Sequence, residues 1–236
     1  MNTRLIALLV ILVHLGFQVT LVAADSGPSS AALPFAEDFR AFANADAATA
    51  PSQGGVLFVG SSIFRQWTNV AEAMAPLPVL NRAFGGSRTG DQLVRFEQLV
   101  PPYSPKIVVY YCGSNDLKAG DLPEVIFDRF KAFSGRVHQA LPDSDLVFVS
   151  STRSPDRVDK WDRVERYNAL VRDFCASYPR HTFVDINPIL LGAEGKPRLD
   201  FYQDDQLHLR PAAYVAIAER LKPVLQRVWQ EQKATH

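Results

Sequence analysis

The sequence contains little cysteine and no excess of charge of either sign, and both features exclude classes of protein. Only two cysteines, Cys112 and Cys175, occur among 236 residues, too few for a disulfide framework. Both lie in apolar or amphipathic stretches, which fits buried free thiols, and in an exported protein a single bridge between them is equally compatible with the sequence. Lysine plus arginine equals aspartate plus glutamate, 25 of each, and no stretch is strongly basic. We therefore expect no nucleic-acid partner.

Motifs that bind metals, phosphates or dinucleotides are also lacking. Neither paired histidines at helical spacing nor Cys-x-x-Cys occurs, so we expect no metal ion. Gly85 and Gly90 have the glycine spacing of a phosphate-binding loop, but Asp91 stands where that loop needs lysine. No Gly-x-Gly-x-x-Gly follows the first predicted strand. The sequence therefore predicts that no cofactor is bound.

The first 24 residues have the composition of a secretory signal peptide. Arg4 supplies the positive start, residues 5–13 form an uninterrupted apolar run, and residues 22–24 meet the small-residue rule for cleavage. The alternative is a retained membrane anchor, but residues 14–18 interrupt the apolar run and make it a poor span. We expect an exported protein, periplasmic or secreted, without stable membrane insertion after cleavage.

The rest of the chain predicts one α/β domain, because short apolar runs alternate with helix-like segments. The predicted strands are residues 56–59, 79–80, 107–111, 146–149 and 183–186. The predicted helices are residues 34–50, 91–100, 123–141, 159–178 and 211–230. Such alternation implies right-handed crossovers and a parallel sheet covered on both faces. Residues 25–55 are expected to form a linker and an N-terminal helix, and residues 56–232 the main domain.

The first apolar run ends in Gly60, Ser61 and Ser62, which predicts a buried strand followed by a tight turn. A serine at such a corner lies at the carboxyl edge of a parallel sheet, where functional residues gather. The alternative is that Ser61 or Ser62 only caps a helix, for which serine is a favoured residue. The loops that follow the other strands decide between the two interpretations.

The loops after the second and third predicted strands contain groups that can hold a negative charge. Gly85 and Gly86 lie within residues 81–87, and glycine presents its backbone N–H without side-chain obstruction. Asn115, within residues 113–116, offers an amide. Such donors would form an oxyanion hole, whereas the alternatives are an ordinary turn and an Asx-turn.

His208 is the histidine placed best for chemistry. It follows Asp205 by three residues and precedes Pro211, a residue typical of the first turn of a helix. A carboxylate at this spacing can hold one ring nitrogen and leave the other as a base; alternatively, Asp205 caps the helix. Serine, histidine and a carboxylate are the parts of a nucleophilic hydrolase. The sequence does not contain a nucleophile elbow, since Phe64 replaces its second glycine.

Four blocks of this sequence resemble those of the SGNH (GDSL-type) hydrolases over most of the mature chain. The blocks are residues 60–62, 81–87, 113–116 and 205–208. Ser61 departs from the aspartate of many members. A branch with Gly-Ser-Ser and a tryptophan five positions after the nucleophile, as at Trp67, is more similar. The order and spacing of the four blocks are specific as a set.

The resemblance implies a flavodoxin-like three-layer α/β/α sandwich with a five-stranded parallel sheet. It also implies ester hydrolysis without a metal or cofactor, with residues 56–232 as the hydrolase domain. Ser62 would be the nucleophile, His208 the base and Asp205 the carboxylate behind it. Ser62, Gly86 and Asn115 would form the oxyanion hole.

The resemblance implies a small-molecule acyl ester or an acetylated glycan as substrate, because members cleave lipid esters, thioesters and sugar O-acetyl groups. We favour a small acyl group, since no lid or lipid-binding segment is visible. Trp67, Arg88, Arg153 and Trp161 are candidates for lining the pocket and equally for core or surface. The alternative function is an exported carbohydrate- or envelope-binding module with a decayed hydrolase site, against which the presence of every catalytic residue type argues.

Overall fold

Five parallel strands form one sheet in a computed structural model that describes residues 33–192 and 194–234. The strands are β1 (Val56–Gly60), β2 (Val79–Asn81), β3 (Ile107–Tyr111), β4 (Asp145–Val149) and β5 (His181–Val184). Their order across the sheet is β2-β1-β3-β4-β5, which is the flavodoxin-like order. This result confirms the predicted fold, whereas the predicted leader at residues 1–24 lies outside the described residues.

The central strands read as continuous apolar runs because both faces of the sheet are covered. Every residue of β1 and β3 is buried. Successive side chains alternate between two cores: Val56 and Phe58 belong to one cluster, Leu57 and Val59 to the other. The sheet is therefore the middle of three layers.

Helices supply the two outer layers. They are α1 (Ala36–Ala48), α2 (Ser62–Arg65), α3 (Val70–Ala73), α4 (Thr89–Val94), α5 (Phe96–Leu99), α6 (Ser114–Ala119), α7 (Pro123–Ala140), α8 (Trp161–Ser177), α9 (Asn187–Leu190) and α10 (Pro211–Ala234). Helices α1, α7 and α8 contribute Phe39, Phe130 and Val171 to one core. Helices α9 and α10 contribute Leu190 and Leu221 to the other. Among the described residues, no helix is long and apolar enough to cross a membrane.

Some predicted boundaries differ from the observed ones. The segment predicted as one helix at residues 91–100 is two helices, α4 and α5, which meet at Arg95 in a non-helical conformation. Strand β5 ends before Ile186, because the Ile186 N–H bonds to the Ser150 hydroxyl instead of a strand carbonyl. The long connection after β5 contains α9 and a short 3-10 helix, Leu199–Phe201. Both cysteines are buried free thiols.

Helix α1 packs against the loop that follows β2. The rings of Phe35 and Phe39 lie edge-on to Phe84, with centroids 4.9 and 5.3 Å from it. The Arg82 guanidinium forms an ion pair with Asp46 of the helix. Aromatic pairs in this arrangement are stabilising beyond the area they bury. The loop that contains Gly86 is therefore supported from the side of the N-terminal helix.

Candidate active site

The corner between β1 and α2 places Ser62 at the carboxyl edge of the sheet. Gly60 has φ of 141°, and a Cβ atom there would lie 1.9 Å from the Tyr111 carbonyl oxygen of the neighbouring strand, so only glycine fits. The Ser61 N–H donates to that carbonyl at 3.0 Å, and Ser61 is 3% exposed. The Ser61 side chain makes no capping hydrogen bond to α2. The chain therefore buries the first serine and leaves Ser62 half-buried at the edge.

Ser62, His208 and Asp205 form a chain of hydrogen bonds. The Ser62 Oγ atom lies 2.9 Å from His208 Nε2, and His208 Nδ1 lies 2.5 Å from Asp205 Oδ2. The other carboxylate oxygen accepts the backbone N–H groups of Leu207 at 3.0 Å and of His208 at 2.9 Å. The hydrogen bond from the His208 ring, followed by that from its backbone, lowers the pKa of Asp205 to about 2. The carboxylate is therefore ionised and held in one orientation.

The turn that contains Asp205 and His208 precedes a helix instead of forming its first turn. Helix α10 begins at Pro211, so the interpretation of Asp205 as its cap is wrong. Gln203 fastens the turn: its N–H donates to the His208 carbonyl at 2.8 Å, and its side chain donates to the Leu209 carbonyl at 2.9 Å. These bonds fix the imidazole against Ser62.

The carbonyl oxygen of Gly60 accepts hydrogen bonds from the loop that contains Gly86 and from the helix that follows it. It accepts the Phe84 N–H at 3.0 Å, the Ser87 hydroxyl at 3.2 Å and the Gln92 amide at 3.3 Å. Gly86 itself has φ of 77°, the left-handed region that favours glycine. The loop is thus tied to the residue that precedes the two serines.

Asn115 lies in the first turn of α6. Its Nδ2 atom donates one hydrogen to the Ser87 carbonyl at 3.1 Å, which leaves the second amide hydrogen for another acceptor. The next residue, Asp116, is fully buried and accepts the Thr89 N–H at 3.1 Å and its hydroxyl at 2.5 Å. Burial raises the pKa of Asp116, and the bonds from Thr89 oppose that shift. These contacts join α6 to the start of α4 and hold the second and third blocks together.

The four residues considered for lining the pocket have different surroundings. Trp67 is buried in the core, with its ring 5.2 Å from that of Tyr214. Arg88 is exposed. Arg153 lies over the Trp161 ring at 5.7 Å, and the Trp161 Nε1–H donates to a backbone carbonyl at 3.0 Å. Arg153 also lines a polar cavity of about 310 Å³. Of these four, Arg153 and Trp161 lie together in the segment after β4.

An apolar cavity of about 310 Å³ lies away from this chemistry. Gly55, Val56, Pro78 and Pro105 are among the residues that line it, at the amino ends of the strands. Since Ser62 follows the carboxyl end of β1, this cavity is no part of the candidate site.

A second serine–histidine contact occurs near the amino end of β5. Ser134 Oγ lies 2.7 Å from His181 Nε2, and the other ring nitrogen lies 2.8 Å from the Pro179 carbonyl oxygen. Ser134 is 2% exposed, and the second ring nitrogen of His181 faces a backbone carbonyl oxygen in place of a carboxylate. Burial also raises the pKa of Cys175 to about 12 and that of Cys112 well above its ordinary value. Ser62 is therefore the better candidate nucleophile.

Proteins of similar sequence or fold include an acetylhydrolase, an arylesterase and a lipase. Platelet-activating factor acetylhydrolase IB subunit alpha1 of Pongo abelii is 30% identical over 179 residues, which cover 73% of this chain and 76% of that protein. An arylesterase of Vibrio mimicus is 29% identical over 143 residues, 60% of this chain and 66% of that protein. A GDSL-like lipase from Bacteroides thetaiotaomicron has the same fold, with a TM-score of 0.68 and 18% identity over 80% of this chain and 97% of that one.

A family model also matches most of the sequence. The model of the GDSL-like Lipase/Acylhydrolase family matches residues 21–216, a stretch that includes all four blocks. The relatives are named as an acetylhydrolase and an arylesterase. The chain therefore belongs to the GDSL-like lipase/acylhydrolase family and is an enzyme that hydrolyses esters.

Proposed function

We propose that the enzyme cleaves carboxylic esters through a Ser62–His208–Asp205 triad and an acyl-enzyme. The observation that carries this proposal is the continuous hydrogen-bonded chain, 2.9 Å from serine to imidazole and 2.5 Å from imidazole to carboxylate. Both distances are within the reach that proton transfer and orientation of the base require. The exposed carboxylate and half-buried serine lie at the edge where a substrate can approach.

In the first step, His208 Nε2 takes the Ser62 proton as Oγ attacks the acyl carbonyl carbon. Asp205 holds the Nδ1–H tautomer and stabilises the imidazolium that forms. The N–H groups of Ser62 and Gly86 and the free amide hydrogen of Asn115 stabilise the oxyanion. The imidazolium then gives its proton to the departing alkoxide, leaving the acyl-enzyme. Water attacks this ester with His208 again as base, and the acid is released.

We further propose that the acyl group is short, with acetyl esters and O-acetyl groups of sugars as the substrate class. The 30% identity to a protein named an acetylhydrolase supports a small acyl group. A pocket shaped for a small group rejects longer chains, because each added methylene that does not fit costs about 1–3 kcal/mol of transition-state binding. Chain length is therefore the variable to test.

A panel of 4-nitrophenyl esters from acetyl to dodecanoyl, together with acetylated xylan, measures this specificity. We expect kcat/KM to fall at least about 10-fold between the acetyl and octanoyl esters. The activity should be unchanged by EDTA, since the proposed steps use no metal ion. A maximum at long chains would contradict the short-acyl assignment. Binding of acetylated xylan with no hydrolysis of any ester would instead indicate a decayed site.

We also propose that the protein is exported and that its mature form begins near Asp25. Residues 22–24 carry the small side chains that a signal peptidase requires. The proposal is checked by expressing the protein in a bacterial host, recovering it from the envelope fraction, and determining its N-terminus by mass spectrometry. An intact leader on protein recovered from the cytoplasm would contradict it.

A further inference from the structure

Arg157 is a buried arginine outside the proposed triad and oxyanion hole. It lies in the 3-10 segment Pro155–Lys160 after β4, is 5% exposed, and has non-helical φ and ψ of −133° and 34°. A buried guanidinium is destabilising unless it is paired and hydrogen-bonded. Its contacts therefore indicate what the residue does.

The Arg157 guanidinium is held on one side and donates on the other. Its Nε lies 3.2 Å from an Asp156 carboxylate oxygen, and the second oxygen of that carboxylate accepts the Ser154 hydroxyl at 2.7 Å. Its terminal nitrogen donates to the Ser114 carbonyl at 2.8 Å and also to the Ser114 hydroxyl. The group is thus anchored in its own loop and clamps Ser114 in another.

Asp156 and Arg157 contact both the oxyanion side and the base side of the candidate site. Ser114 immediately precedes Asn115, the proposed oxyanion donor. On the other side, the backbone N–H of Asp156 donates to the Gln206 carbonyl at 3.2 Å. Gln206 lies between Asp205 and His208 and has φ of 56°. The pair Asp156 and Arg157 therefore bridges the oxyanion side and the base side.

We infer that Arg157 is a positioning residue that aims the Asn115 amide at the oxyanion. This inference rests on the proposed function, since it concerns the geometry of that site. An oxyanion donor is effective only within a narrow range of positions, and a displacement of about 1 Å can lower the rate about 100-fold. By fixing the Ser114 carbonyl, the guanidinium prevents α6 from shifting its first turn.

The test compares Arg157→Met with Arg166→Met as a matched control. Arg166 lies on α8, is exposed and pairs with Glu124, so its variant should keep wild-type kinetics. For Arg157→Met we expect kcat to fall about 10- to 100-fold, with KM changed less than about 3-fold. The kcat of Arg157→Lys should lie between those of Arg157→Met and the wild type, because an ammonium can donate to the Ser114 carbonyl but lacks the several donors of a guanidinium. If the methionine variant does not fold, the lysine variant serves in the same comparisons.

A double-mutant cycle with Asn115→Ala identifies the route of the effect. Asn115→Ala alone should lower kcat about 100- to 1000-fold. In the Asn115→Ala background, Arg157→Met should lower kcat by less than about 3-fold, because the amide that Arg157 positions is already absent. The inference would be overturned if the kcat loss of the double variant equalled the product of the two single-variant losses. A kcat of Arg157→Met within about twofold of wild type would also overturn it.

Hydrogen exchange separates this inference from the proposed function. Arg157→Met should speed amide exchange in the peptide that contains Ser114 and Asn115, whereas Arg166→Met should not. A wild-type protein with no ester hydrolysis would refute the proposed function, and the exchange comparison would still be read. Unchanged exchange in that peptide would refute the role of Arg157 even in an active enzyme.

Discussion

Replacing Ser62 with alanine is expected to remove ester hydrolysis, with kcat lowered by about 10⁵-fold or more. The Ser62 hydroxyl is the group that lies 2.9 Å from His208 Nε2, and alanine leaves the imidazole with no nucleophile to activate. KM should change much less than kcat, because the small side chain contributes little to substrate binding. Steady-state kinetics with an acetyl ester measures both constants.

Ser61→Ala is the matched control for this variant. Ser61 is buried, and the bond that it makes to Tyr111 uses its backbone N–H, which alanine keeps. We expect kcat within about 10-fold of wild type for a small volume change in a packed site. A fluorophosphonate should label wild type and Ser61→Ala but not Ser62→Ala, with the adduct located by mass spectrometry.

The label also separates Ser62 from the other serine that contacts a histidine. Ser134 lies 2.7 Å from His181 but is buried, so a reagent should not reach it in the folded protein. Ser134→Ala should therefore keep the label. An adduct on Ser61 or Ser134 of the wild-type protein would contradict the assignment of the nucleophile.

The sheet could be predicted because a parallel strand covered on both faces is a continuous apolar run. The predicted run at residues 107–111 coincides with β3. The last strand was harder to place, since β5 begins with His181 and Thr182, which are not apolar, whereas Ile186 is buried after the strand has ended. Apolar character marks burial, and burial extends beyond the hydrogen-bonded ladder.

The short blocks of the candidate site could also be predicted, but the residues that hold them in place could not. Ser62 and His208 are brought together as expected, and their roles remain predictions. Gln92 and Arg157 donate to backbone carbonyl oxygens 32 and 43 residues away, those of Gly60 and Ser114. Backbone acceptors have no side-chain identity, so such contacts leave no pattern in a single sequence. Only the fold reveals them.

Acidification is expected to weaken the contribution of Asp205 to stability. The His208 hydrogen bond lowers the pKa of this carboxyl from its ordinary value of 3.8 to about 2 in the folded protein. A lowered folded-state pKa stabilises the protein above the ordinary value, and the contribution is lost as pH falls through the folded one. The melting-temperature difference between wild type and Asp205→Asn should therefore shrink between about pH 4 and 2. The difference itself should be small, because the Asp205 side chain is half exposed.

Loss of the base or of its carboxylate is the second large effect. Asp205→Asn should lower kcat about 10⁴-fold, because an amide at this position no longer holds the required tautomer or stabilises the imidazolium. His208→Ala should be at least as damaging, since it removes the proton acceptor itself. In both variants kcat should fall more than KM rises. The double variant should be no worse than about the His208→Ala single variant, because the residues act as one unit.

Asp204→Asn is the control that separates the two neighbouring aspartates. The Asp204 side chain is fully exposed and pairs with Arg210 at 2.7 Å, whereas the Asp205 carboxylate contacts the imidazole. Exposed ion pairs contribute at most about 1 kcal/mol, which corresponds to about fivefold, so kcat should stay within about fivefold of wild type. A severe loss in Asp204→Asn with near-normal Asp205→Asn would require the turn to rearrange when substrate binds. The carboxylate that supports His208 during catalysis would then be that of Asp204, although the Asp205 carboxylate contacts the imidazole in this structure.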